Sequence, residues 1–257
     1  RRIDSRPVTA IPKSFGMPFR LLAAAVSFIL AASPLAAGEI KQNPKAVVEL
    51  FTSQGCSSCP PADALLDELG ARPDILALGY HVDYWDYIGW PDTFGAAANS
   101  DRQRAYSDAW GAGRIYTPQL VVNGAAGVVG SRRAEVEAAL SDAALDVPVT
   151  LEPVAGMLKI SIPARQGLEE AVVWLVCFRD RASVVIERGE NKGKTIAYTQ
   201  IVLNRQVLGM WDPAAGASLK VPLKEVMPDG ANGVAVLVQA ETDGLPGRIL
   251  GAASLVR

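Results

Sequence analysis

Histidine and cysteine are scarce in this chain, with one histidine and three cysteines among 257 residues. Three cysteines cannot staple a scaffold built on disulfides. A zinc site around the Cys56-x-x-Cys59 pair needs two more ligands at similar spacing, and only His81 and Cys177 remain, far apart and outside any second paired motif. Charge of one sign is equally short. The 25 basic and 27 acidic residues leave a formal net charge of -2 and no basic stripe, so nucleic acid is not expected as a partner. A Gly-rich phosphate loop, His-Glu-x-x-His and Gly-x-Ser-x-Gly are all missing, and neither a cofactor nor a metal is expected. No apolar run reaches the roughly 20 residues that a membrane helix needs.

What is present begins with an export pattern. Met17-Pro18-Phe19-Arg20 supplies a short basic start, Leu21 to Ala32 an apolar core, and Ser33-Pro34-Leu35-Ala36-Ala37-Gly38 a zone of small residues for cleavage after Ala37 or Gly38. Residues 1–38 are therefore expected to be an N-terminal extension and signal peptide, with a periplasmic or secreted product and no stable membrane span after signal removal. No cysteine follows directly to carry a lipid anchor. The composition, 49% hydrophobic, suffices for an ordinary core, so stability need not rest on a disulfide.

The chemistry concentrates where the apolar run Val47-Val48-Glu49-Leu50-Phe51 gives way to Cys56-Ser57-Ser58-Cys59 and then to a helix pattern from Ala62 to Leu69. Two intervening residues let the sulfurs bond, and a helix starting at the first cysteine would aim free N–H groups and its positive dipole end at the thiolate. That makes Cys56 the expected nucleophile and Cys59 the resolving thiol. An inert structural disulfide, or a soft-ligand site for monovalent copper, is the competing reading of the same pair. Ser57 and Ser58 bring no positive charge, so the expected potential is reducing to intermediate, below about -180 mV, with a Cys56 pKa nearer about 7 than 4.

Up to about Asp142 the pattern alternates. A strand over Ala46 to Thr52, the helix, a strand over Ile75 to Val82, a polar helix over Ser100 to Trp110, a strand closed by Asn123-Gly124, a return strand from Gly127 and a last helix from Arg132 follow in order. Two parallel strands joined by a crossover helix end on one edge of the sheet, so Asp83, Tyr84 and Trp85 should flank Cys56, either as a substrate platform or as a cover for the core. His81, at the end of its strand, is read either as a proton-transfer group or as a core residue. Past Asp146 short apolar runs recur between turn residues, as in an antiparallel sandwich, with Val147-Pro148 as the boundary. Cys177 lies in a strand apolar on both faces and reads as a buried inert thiol. Gly189 to Lys194 reads as a hairpin turn, or as a charged loop open to a partner.

A strand leading to Cys-x-x-Cys, followed much later by Thr117-Pro118, a hairpin and a helix, resembles the thioredoxin-like arrangement. The resemblance implies a cis proline at Pro118 and a Thr117 backbone that receives an incoming peptide. The chain also resembles a family of uncharacterised bacterial secreted proteins, a domain of unknown function. The matching stretches are Val48 to Asp63, His81 to Tyr87, Tyr116 to Gln119 and Arg188 to Thr195. The expectation is an α/β thioredoxin-like domain over 44–146 followed by an all-β sandwich-like domain over 147–257. Its expected activity is thiol–disulfide exchange through Cys56 and Cys59 with protein thiols or disulfides, with Thr117, Pro118, Asp83, Tyr84 and Trp85 binding the substrate. The rivals are a secreted binding module with a structural disulfide, and copper handling.

Overall fold

The computed structural model describes residues 38–257 together with Ala10, and residues 38–257 belong to one compact unit. Apart from Ala10 and Gly38, the extension and signal assigned to residues 1–38 lie outside the described residues. Among the described residues no helix is long and apolar enough to cross a membrane.

In chain order the elements are β1 (Glu39–Gln42), β2 (Ala46–Thr52), α1 (Pro60–Gly70), β3 (Ile75–His81), α2 (Ala97–Ala109), β4 (Gln119–Val122), β5 (Ala126–Val129) and α3 (Arg133–Ser141). Then come β6 (Thr150–Val154), β7 (Met157–Ile162), β8 (Ala171–Val185), β9 (Thr195–Trp211), β10 (Ala217–Pro222), the single turn α4 (Leu223–Val226), β11 (Gly233–Thr242) and β12 (Leu245–Val256). The strand and helix order expected up to Asp142 is present. The architecture around it is not the expected one.

An α/β thioredoxin-like domain followed by a separate all-β domain is contradicted by one mixed sheet of nine strands in the order β1-β12-β11-β8-β9-β3-β2-β4-β5. Among the described residues the structure is mostly β, with 45% in strands and 18% in helices. The joint is the parallel contact of β3 with β9, where Gly79 faces Ile201. Its cause lies in strand length. Arg179-Asp180-Arg181 and Asn204-Arg205-Gln206 divide the apolar pattern into short runs, yet β8 and β9 continue unbroken through them for 15 and 17 residues. Register shifts at Val173/Trp174 and Cys177/Phe178 bend the pair. All seven residues of β3 are buried, and a buried strand whose edge carried unpaired N–H and C=O groups would be costly, so β9 covers it.

Period-two alternation sorts β2 between two cores. Val48 and Leu50 face α1 and α3 with Leu65, Leu66 and Val136, while Val47 and Phe51 face the α2 side with Tyr80 and Tyr106. The polar helix α2 docks through a buried network instead of an apolar stripe. Arg102 Nη2 lies 2.7 Å from Glu49 Oε1 on β2 and donates to Gln239 on β11, and the Tyr106 hydroxyl donates to Glu49 Oε2. A small sheet, β10-β7-β6, packs its Leu158, Ile160 and Ile162 against Val173, Leu175 and Val236 of the large one. This is the sandwich-like part of the expectation, fused to the main sheet.

Candidate functional site

The Cys56–Cys59 disulfide is formed, with Cα atoms 5.4 Å apart. It sits in the turn between β2 and α1, where Cys56 N–H donates to Ser53 C=O and Gly55 N–H to Ser53 Oγ. The helix begins later than the spacing suggests: Cys59 is its N-cap, and Pro60 and Pro61 fill its first positions. Proline suits that place because the first helical N–H groups have no partner within the helix. The same prolines withhold two donors, so the dipole reaches the sulfurs while free N–H groups are few. Cys56 Sγ lies 3.4 Å from Ser58 Oγ. Both cysteines are buried, at 1% and 0% exposure, on either side of the exposed Ser57 and Ser58.

Beneath the dithiol is a buried ionisable cluster. Asp63 stands four residues after Cys59, on the same face of α1, and its Oδ2 has no hydrogen-bond partner. Burial pushes its pKa up to about 7 against the pull of His81. His81 Nδ1 lies 2.8 Å from Asp92 Oδ2, which also accepts the Gln54 N–H at 2.7 Å. Phe94 and Tyr198 meet the His81 ring edge-on at centroid distances of 5.4 and 4.8 Å. Burial, Asp63 and Asp92 all raise the pKa of Tyr198, whose hydroxyl is also unpartnered. Four segments from both halves of the chain converge here.

The expected platform is adjacent. Trp85 Cβ would lie 3.2 Å from a Cβ placed on Gly55, so the residue before Cys56 must be small where the base of the Trp85 side chain and its backbone carbonyl pass it. The indole of Trp85 donates from Nε1 to Thr117 Oγ1 at 2.7 Å. The Thr117–Pro118 peptide bond is cis. Because Phe51 pairs with Gln119, the register of β2 and β4 puts Pro118 level with Thr52, at the end where the dithiol turn leaves the sheet. Trp85 therefore joins the dithiol turn to the Thr117-Pro118 segment. Tyr84 and Asp83 are turned to α2: the Tyr84 hydroxyl donates to Gln103 Oε1 and Asp83 Oδ1 accepts from Ser100. Tyr87, 82% exposed, is the open aromatic of this loop.

The connection between β8 and β9 is the expected hairpin, but sequence reasoning missed that it reaches the dithiol turn. The Asn191 side chain donates from Nδ2 to Gln54 C=O and to Cys56 C=O, both at 2.9 Å, and Lys194 Nζ holds its Oδ1 at 2.8 Å. Glu190 Oε2 accepts the Ser57 N–H at 3.3 Å. Asp63 carried a signal, its helical spacing from Cys59; Asn191 carried none beyond lying in a recognised stretch. Cys177 lies apart, donating to Val226 C=O in the sandwich core, with burial pushing its thiol up to about 11.

Residues 47–239 match the family described as Protein of unknown function (DUF1223). Among solved structures, the crystal structure of protein AGR_C_4864 from Agrobacterium tumefaciens is 35% identical with a TM-score of 0.75, over 83% of this chain and 95% of that one. HBP35 of Porphyromonas gingivalis matches at a TM-score of 0.56 and 14% identity, over 84% of this chain and 76% of that one, a likeness of fold alone. No curated protein matches.

Proposed function

Because the chain belongs to the DUF1223 family, whose function is unknown, its chemistry must be read from its own residues, and we propose that it exchanges disulfides with protein thiols through Cys56 and Cys59. The observation that carries this reading is the position of the disulfide. It lies at a helix start, beside a tryptophan that reaches both its turn and the cis Thr117-Pro118 segment, and one helical turn from a buried carboxyl poised near neutral pH. Such a carboxyl can take and return a proton, as a general base is most effective with a pKa near the working pH.

From the oxidised state, a thiolate of a partner dithiol attacks Cys56 Sγ. The Cys56–Cys59 bond breaks, the electron pair goes to Cys59 Sγ, and Asp63 supplies the proton that makes it a thiol. The partner's second thiolate then attacks its own mixed sulfur and releases Cys56. Two electrons pass to the protein and the partner leaves as a disulfide; with a partner disulfide and the reduced protein every step runs in reverse. Thr117, Pro118 and Trp85 hold the partner strand. The export pattern and the formed disulfide support action in the periplasm or outside the cell.

One observation favours the structural-disulfide reading, namely the burial of both sulfurs. Trapping separates the two. Cys59→Ser should accumulate mixed disulfides with exported proteins through Cys56, and Cys56→Ser should not. If neither variant traps a partner and the bond resists glutathione and thioredoxin buffers, the disulfide is structural.

A further inference from the structure

We infer that Asn191 is a positioning residue of the dithiol, and that the connection from Ile186 to Lys194 is a clasp that must lift before Cys56 Sγ can be attacked. The inference rests on the exchange reading and adds its control. The connection is itself closed: Ile186 N–H donates to Lys194 C=O and Gly193 N–H to Ile186 C=O, so it can move as a unit at the tip of the long β8–β9 pair. Asn191 is 0% exposed although its neighbours Glu190 and Lys192 face solvent. Both hydrogens of its amide are spent on Gln54 and Cys56, the carbonyls on either side of Gly55, which sets the height of the dithiol turn. Gly189 packs on the other flank, where an added Cβ would meet Trp90 Cβ at 3.2 Å.

The clasp also acts through charge. Glu190 occupies the Ser57 N–H, an exposed donor beside Cys56 in a turn whose helix opens with two prolines. A carboxylate there opposes thiolate formation. The closed clasp therefore both pins the backbone on either side of the buried Cys56 and opposes its ionisation, and a partner surface with basic groups that draws Glu190 away would relieve both effects at once.

The test uses the full chain and dithiothreitol, which closes to its cyclic disulfide while Cys56 and Cys59 take up two electrons and two protons. Asn191→Ala and Asn191→Asp, the second keeping the shape but losing both donors, should each raise the rate constant for reduction at least tenfold. Lys194→Met, at an exposed position, should raise it severalfold and keeps the test alive if the Asn191 variants do not fold. In the reduced protein, Glu190→Gln should move the midpoint of the pH profile of Cys56 alkylation downward, a change that a purely structural contact would not produce. Wild-type reduction rates in the folded variants, with an unmoved alkylation midpoint in Glu190→Gln, overturn the clasp. Faster reduction in a protein whose Cys59→Ser variant traps no partner leaves the clasp standing and removes the exchange reading.

Discussion

Asp63 lies one helical turn beyond Cys59, its N–H donating to the Cys59 carbonyl at 3.1 Å and its carboxyl enclosed with one oxygen unpartnered. The folded pKa of about 7 exceeds the ordinary carboxylate value, so the folded state binds the extra proton. Stability from this group is intact below about pH 4 and declines as pH rises toward 7, by up to roughly 4 kcal/mol from three pH units at 1.36 kcal/mol each. Asp63→Asn should remove the slope: urea unfolding at pH 8 should show the variant gaining on the wild type, and at pH 4 the two should converge. In exchange assays the same variant should slow the step at Cys59 and flatten its pH profile near 7.

Trp85 should matter through its indole nitrogen. Trp85→Phe keeps the Cβ that packs on Gly55 and leaves Thr117 Oγ1 without its 2.7 Å donor. A hydrogen bond of about 1 kcal/mol corresponds to roughly fivefold, so the exchange rate with a protein substrate should fall by about that factor while reduction by a small thiol changes less. Equal losses with both would place the effect in the fold of the turn.

Cys177 should stay silent. Buried and with its thiol pushed up to about 11, it should resist iodoacetamide in the folded protein at pH 8 and react after denaturation. Cys177→Ala should leave the exchange rate of Cys56 and Cys59 unchanged.

Arg102 anchors α2 to the sheet. Arg102→Met takes the cation away from Glu49, which is at zero exposure, and breaking a buried pair in this way costs about 3–5 kcal/mol. The urea midpoint should drop accordingly, and a double variant with Glu49→Leu should recover part of the loss.

The sequence by itself determined the local pieces. The apolar run before Cys56, the helical face of Ala62, Leu65, Leu66 and Leu69, the strand from Ile75 and the Asn123-Gly124 turn are short-range patterns, set by period and turn chemistry within a few residues. The same reasoning put the loop after β3 beside the dithiol turn, where Trp85 packs on Gly55, because parallel strands joined by a crossover end on one edge. Tertiary structure alone decided the rest. Whether β9 pairs with β3 depends on the cost of leaving a buried strand edge open, which no pattern within β9 records, and that pairing turned two expected domains into one sheet. It also decided that Tyr198 and Asn191, more than 130 residues after Cys56, share the dithiol's surroundings. A side-chain amide that satisfies two distant carbonyls leaves no periodicity behind it, since its partners are chosen by the closing of the sheet.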